Sequence, residues 1–169
     1  ALFQDYKTFA ATLAENVLGD LYDPSEREQV ERALHNADFD EKLADMPDGL
    51  ETNLTREYDD NGVNLSGGEQ QKVAISRVFA HDHDILIMDE PSSALDPDAE
   101  YRLNNSILEF AKDKTVIFIS HRLSTTRMAD RIYMFEDGRV IEQGTHDELM
   151  SMNGKYAYMF NLQAEKYKT

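Results

Sequence analysis

The 169-residue chain contains no cysteine. That excludes disulfides and thiolate metal sites and agrees with a reducing compartment. Basic side chains are scarce: 17 Lys and Arg stand against 33 Asp and Glu, a formal charge of −16. Such a field repels a phosphodiester backbone, so no nucleic-acid partner is expected. No apolar run approaches the roughly 20 residues of a membrane-spanning helix. Ala1–Asp5 lacks a basic stretch followed by a long apolar run, so no secretory leader is expected. Internal repeats and low-complexity tracts are also missing. The hydrophobic content, 41%, is enough to bury one sizeable core, or a core plus a satellite.

One further absence concerns chemistry. A phosphate-binding loop needs Gly, four residues, then Gly-Lys-Ser/Thr, because backbone N–H groups wrap the phosphates while Lys and the hydroxyl serve phosphate and Mg²⁺. The nearest approach, Gly62-Val63-Asn64-Leu65-Ser66-Gly67-Gly68, puts Gly68 at the Lys position and Glu69 at the hydroxyl position. Gly154-Lys155 is followed by Tyr156 and has no Gly at the required spacing before it. The sequence also starts inside what reads as the end of a strand, and a piece of a longer polypeptide is expected.

The first half reads as mainly helical. Residues 1–4 resemble a strand tail, and 8–18 carry a helical or mixed pattern closed by Gly19. Ser25-x-x-Glu28 is a capping box expected to open a helix through about Asn36, with Val30, Ala33, Leu34 and Ala37 on one face. A short helix is expected over Asp40–Asp45, broken by Pro47-Asp48-Gly49. Residues 51–64 are polar and are expected to form an exposed loop. A long helix should run from Gly67 to His81, with Val73, Ala74, Val78 and Phe79 in the core.

The second half changes period. Ile85–Met88 and Thr115–Ile119 are continuous apolar runs, as expected of strands covered on both faces. Asp96-Pro97 caps a helix reaching about residue 111. A short helix is expected over 122–129. Asp137-Gly138 is a hairpin turn between Arg131–Glu136 and Arg139–Gln143, expected to extend the sheet at an edge. Thr145-x-x-Glu148 opens the C-terminal helices. Strand–helix–strand order argues α/β with a parallel sheet.

In open parallel sheets ligands bind beyond the carboxyl ends of the strands. One strand here ends in Asp89-Glu90 and the next in Ser120-His121. Asp89 could support Mg²⁺, Glu90 could orient or deprotonate an attacking water, and His121 could donate to a transferring phosphoryl oxygen. Ser66-Gly67-Gly68 at a helix start joins a hydroxyl to the positive end of a helix dipole, which favours anions. Taken singly, each feature has an ordinary reading as a turn, a cap or a structural His. Their ordered conjunction favours chemistry.

These residues resemble the motifs of the ATP-binding-cassette (ABC) ATPases. Leu65-Ser66-Gly67-Gly68-Glu69-Gln70-Gln71 is similar to the family signature, and Ile85–Glu90 to its Walker B strand with the catalytic glutamate. Ser93-Ala94-Leu95-Asp96 resembles the D-loop, His121 the switch histidine, and Gln4 in Phe3-Gln4-Asp5-Tyr6 the Q-loop glutamine. Met46–Thr52 and the stretch Ala129–Leu149 resemble the exporter branch. Asn53–Asn61 departs from it, being longer and more acidic than the usual Gly-Glu-containing loop.

The resemblance implies an α/β fold: part of a P-loop NTPase (RecA-like) core with parallel strands, plus an α-helical signature subdomain. The expected division is 1–82 for the Q-loop and helical subdomain and 83–169 for the Walker B half of the core. It implies ATP and Mg²⁺ as ligands, with Asp89 and Gln4 at the metal and Glu90, His121 and Gln4 in catalysis. Leu65, Ser66, Gly67, Gly68, Glu69, Gln70, Ser93 and Asp96 would face nucleotide held by a second cassette in a head-to-tail dimer. Membrane domains of an exporter would be the other partner, at the cytoplasmic face of the cell membrane. The family's P-loop and adenine-stacking aromatic would precede Gln4. Two alternatives stay open, a DNA-repair or chromosome-organising ATPase and a non-catalytic interaction fragment. The first calls for long heptads between the nucleotide motifs, which the compact spacing lacks, and the second for loss of Glu90 or His121, both of which are present.

Without the glycine loop and its Lys, these 169 residues alone should bind ATP poorly and hydrolyse none. Calorimetry with Mg-ATP checks this, and stoichiometric micromolar binding would refute it.

Overall fold

A computed structural model of the chain describes residues 1–2 and 7–166. They form two compact units, Ala1–Ile119 and Ser120–Thr169. The first holds five helices and a parallel strand pair among the described residues: α1 (Leu13–Leu18), α2 (Arg27–Asn36), α3 (Asp40–Ala44), α4 (Gly67–Ala80), β1 (Ile85–Asp89), α5 (Pro97–Phe110) and β2 (Thr115–Ile119). The second holds α6 (Leu123–Thr126), the hairpin β3 (Ile132–Glu136) and β4 (Arg139–Gly144), then α7 (His146–Met152) and α8 (Lys155–Lys166).

Local chemistry sets most helix ends. Thr12 caps α1 with a reciprocal Glu15 contact, and Gly19 closes it in the left-handed region at φ 73°. The expected Ser25–Glu28 box does not form. Asp23 takes the cap instead: its carboxylate accepts from Ser25 N (2.8 Å), and Glu26 accepts from Asp23 N (3.0 Å). Pro24 explains the shift, because its fixed φ and missing N–H suit the first position after a cap. A short 3₁₀ turn, Pro24–Glu26, then feeds α2.

Helix α4 is the centre of the first unit. Val73, Ala74, Ile75, Ser76, Val78, Phe79 and Ala80 are all buried, so the helix is enclosed on more than one side. It meets α1 and α2 through a core that includes Leu13, Val17, Val30, Leu34 and Phe39. Val30, Ala33, Leu34 and Ala37 share the buried face of α2 and its end. Ser76 Oγ donates to Val73 O (2.7 Å), so its hydroxyl is satisfied inside the core. Phe79 meets Phe110 of α5 edge-on at 4.9 Å. Buried Asn16 accepts from Phe9 N (2.7 Å) and from Arg77 Nη2 (3.1 Å), pinning the chain before α1 to α4.

Residues 51–64 are not the freely exposed loop expected. Leu54 and Thr52 are buried. Leu54 N donates to Ala11 O (2.9 Å), Val63 N to Asn53 O (2.9 Å) and Thr55 N to Val63 O (3.0 Å). Backbone bridges thus fold the segment back on itself. At Gly62 a Cβ would lie 1.8 Å from the Thr55 carbonyl oxygen, so only glycine allows this closure.

β1 and β2 run parallel in register from Ile85↔Thr115 to Asp89↔Ile119. Leu2 bridges the opposite side of β1: its N–H donates to Ile87 O (2.8 Å) and its carbonyl accepts from Asp89 N (2.9 Å). Both strands were expected to be covered on both faces, and they are not. Leu86 and Met88 face the core, but Ile85 is 61% exposed and Ile119 52%. Leu86 and Met88 belong to the same buried cluster as the helices, with Val116 and Phe118 of β2 packed against it. The hairpin likewise does not extend this sheet. β3 and β4 pair only with each other among the described residues, closed by Asp137 and Gly138 at φ 47° and 73°.

The second unit has its own small core of Ile132, Leu149 and Tyr156. Tyr156 is buried, and its hydroxyl shares hydrogen bonds with Thr126 Oγ1 (2.8 Å) and His146 Nδ1 (2.9 Å). Glu142 of β4 caps α8, accepting from Lys155 N (2.6 Å) and Tyr156 N (2.9 Å). No helix of the described residues is long and apolar enough to cross a membrane.

Leu34 fills the α2–α4 interface and is fully buried. Leu34→Ala should cost about 2–5 kcal/mol, the range for an unrelaxed core cavity. Urea denaturation would read this as a lower midpoint at unchanged slope.

Candidate functional site at the tip of α4 and the end of β1

Ser66 is the N-cap of α4, and the cap is reciprocal. Its Oγ accepts from Glu69 N (3.3 Å), while Glu69 Oε2 accepts from Ser66 N (2.7 Å). Gln70 Nε2 donates to Leu65 O (3.0 Å), fixing the residue that enters the turn. Glu69 also meets Lys42 of α3 at 3.0 Å. Burial alone would push the Glu69 carboxyl up. The Ser66 N–H and the Lys42 ammonium outweigh it and hold the group below its ordinary 4.5. Gly67 and Gly68 thus begin the helix at its positive dipole end. Gly67 is open outward, whereas a Cβ on Gly68 would lie 3.3 Å from Ala94 O. The second glycine is what lets α4 approach the loop after β1.

That loop starts at the end of β1. Asp89 is the last β1 residue, paired with Ile119 of β2. Glu90 N donates to Ile119 O (2.8 Å), so the strand pairing persists one residue further. Glu90 itself adopts φ 48°, a left-handed conformation that costs a non-glycine residue about 1 kcal/mol or more. The chain then turns through Ser93 N–H to Glu90 O (3.1 Å) and Leu95 N–H to Ser92 O (3.1 Å). Buried Ser92 donates to Glu100 Oε1 (3.2 Å). Asp96 caps α5, accepting from Asp98 N (3.0 Å) and Ala99 N (2.9 Å). The Ala99 N–H, ahead of the Asp98 N–H and Arg102, holds its carboxyl below 3.8.

Gln71 joins the two halves. It is 1% exposed. Its Nε2 donates to Glu90 O (3.3 Å) and Ser93 Oγ (3.1 Å), and its Oε1 accepts from Ala94 N (3.0 Å). One carboxamide therefore sets the spacing between the α4 tip and the acidic loop. The sequence pattern alone assigns Gln71 no role. The available signal was its place three residues after Gly68 and four before Ile75, on the inner face. A polar side chain there must be satisfied by something across the interface.

Leu65, Ser66, Gly67, Gly68, Glu69, Gln70, Asp89, Glu90, Ser93 and Asp96 thus belong to one constellation within the first unit. His121 lies in the second unit, where its carbonyl accepts from Gln163 Nε2 (2.8 Å). Gln4 lies outside the described residues. Among the described residues no group of three or more His, Asp or Glu converges to hold a metal by itself. A single carboxylate at a strand end nonetheless fits Mg²⁺, which keeps its waters and takes one or two carboxylates alongside substrate phosphates.

Glu69 and Asp96 make a pH-dependent contribution of definite sign. Both carboxyls are depressed in the folded chain. Their stabilisation is present above the unfolded pKa values and is lost as pH falls through the folded ones. Stability should decline below about pH 4.5. Denaturation of Glu69→Gln at pH 7 and pH 4 should show a smaller acid loss than the unsubstituted chain.

Known proteins match this geometry. The family model described as ABC transporter matches residues 1–93. The ATP-dependent lipid A-core flippase of Legionella pneumophila (strain Paris) is 40% identical over 160 residues, covering 95% of this chain and 26% of that protein. The flippase of the same name from Vibrio vulnificus (strain CMCP6) is 40% identical over 160 residues, covering 95% and 27%. The solved structure of a bacterial Atm1-family ABC exporter with ATP bound superposes with a TM-score of 0.84 at 35% identity, over 96% of this chain and 28% of that one. The chain spans about a quarter of the length of the curated relatives it matches. Its α/β architecture with parallel strands is that of an ABC exporter's nucleotide-binding domain, a P-loop NTPase fold. The chain belongs to the ABC transporter family.

Proposed function

We propose that the chain is the C-terminal part of the nucleotide-binding domain of an ABC exporter, which hydrolyses ATP to ADP and phosphate and couples this to moving a substrate across a membrane. The observation that carries the reading is the Gln71 junction. It keeps a glycine-led helix tip and two adjacent carboxylates at fixed separation, so that nucleotide binding at one is felt at the other. The relatives named as flippases and exporters support the same reading.

Within it, Glu90 orients a water for in-line attack and accepts its proton. The left-handed backbone at Glu90 turns the chain out of the sheet where its last bond to β2 is made. Asp89 and Gln4 are the residues that would hold Mg²⁺, and the ion when bound offsets phosphate charge as a Lewis acid. His121 donates to the transferring phosphoryl group. Ser66 and Gly68 touch the γ-phosphate of ATP held by a second cassette. Leu65, Gly67, Glu69 and Gln70 shape that contact, and Ser93 and Asp96 carry it across the dimer. The second cassette and the membrane domains are the partners, at the cytoplasmic face of the cell membrane. The subdomain boundary falls near residue 82, between α4 and β1.

Glu90→Gln in the intact transporter should abolish turnover while leaving ATP binding, and should trap a closed cassette dimer. ATPase assay and crosslinking read both effects. Unchanged turnover would remove Glu90 from catalysis.

A further inference from the structure

Asp38 occupies the junction between α2 and α3 in the left-handed region, at φ 58°. Asp tolerates that conformation better than most residues. Its carboxylate reaches two helices at once. Oδ2 accepts from Lys72 Nζ of α4 (2.8 Å), and Oδ1 accepts from Arg102 Nε of α5 (3.0 Å). Its carbonyl takes a second bond from the same ammonium (2.6 Å). The Lys42–Glu69 pair repeats the grip one turn nearer the α4 tip. These side chains line a cleft of about 260 Å³. Lys72 follows Gln71 directly, and Arg102 stands six residues after Asp96, the α5 cap. Gln71 therefore ties α4 to the acidic loop from inside, and Asp38 ties α4 to α5 from the cleft.

We propose that Asp38 is a positioning residue for ATP engagement, bridging Lys72 and Arg102 so that the α4 tip and the α5 cap keep one spacing. The proposal rests on the ATPase reading above. Loss of the bridge leaves Glu90 and its backbone unchanged, so chemistry in the engaged state proceeds at its usual rate. It lets the tip sample other positions, so a smaller fraction of molecules is competent to engage nucleotide. Apparent affinity falls by that fraction.

Asp38→Asn is the test, because Asn also accepts a positive φ and keeps the shape while removing the charge. Steady-state ATPase of the intact transporter should show KM for ATP raised roughly threefold to tenfold, with kcat within about twofold, as expected for the loss of two partly exposed ion pairs. Arg102→Gln should move KM the same way, and the double variant should be no worse than Asp38→Asn alone, since both remove one shared contact. An unchanged KM, or a fall in kcat with KM unchanged, overturns the proposal. If Asp38→Asn does not accumulate as folded protein, Arg102→Gln decides by the same criteria. Turnover that survives Glu90→Gln would strike at the ATPase reading instead.

Discussion

The architecture of the first unit depends on one buried carboxamide. Gln71 has donors and an acceptor to satisfy in a place that water does not reach, and it satisfies them on Glu90, Ser93 and Ala94. An unpaired buried polar group costs about 1–3 kcal/mol. The loop after β1 can therefore leave α4 only by stranding several groups together. That coupling makes a helix tip and a strand end behave as one object. Gly68 completes it by permitting the close approach, and the outer ionic contacts of Asp38 and Glu69 act on the same element.

Around this junction the two kinds of packing differ. The helical part is enclosed, with α4 packed on α1 and α2 in a core that also takes in Leu54. The strand pair is finished on one side only, with four isoleucines of β1 and β2 on the other. Exposed apolar side chains grouped in that way mark an interaction surface.

Much of the fold was legible in the sequence because its signals are local. Asp96 with Pro97, Thr145 with Glu148 and Asp137 with Gly138 each fix a cap or turn within four residues, and each forms where expected. The site motifs were legible for the same reason, since strand-end carboxylates and a glycine-led helix start are short patterns. What failed was decided by competition or distance. Ser25 lost the cap to Asp23 because Pro24 made the earlier start better. The 51–64 segment looked solvated because its polar composition hid the backbone bridges that bury Leu54. Uniform apolar runs could not reveal that one face of β1 and β2 lacks cover. Asp38 and Gln71 act over 34 to 64 residues of sequence and about 20, respectively, and no local pattern reports such contacts.

The backbone at Glu90 carries a final consequence. A left-handed φ of 48° is a place where glycine would relax the chain, and the sequence keeps a carboxylate there instead. Folding stability and the acid at the strand's edge are thus in direct opposition at a single codon. Drift toward glycine would relieve that local strain, so if Glu90 has the role proposed for it, its side chain is kept against the preference of the backbone that carries it.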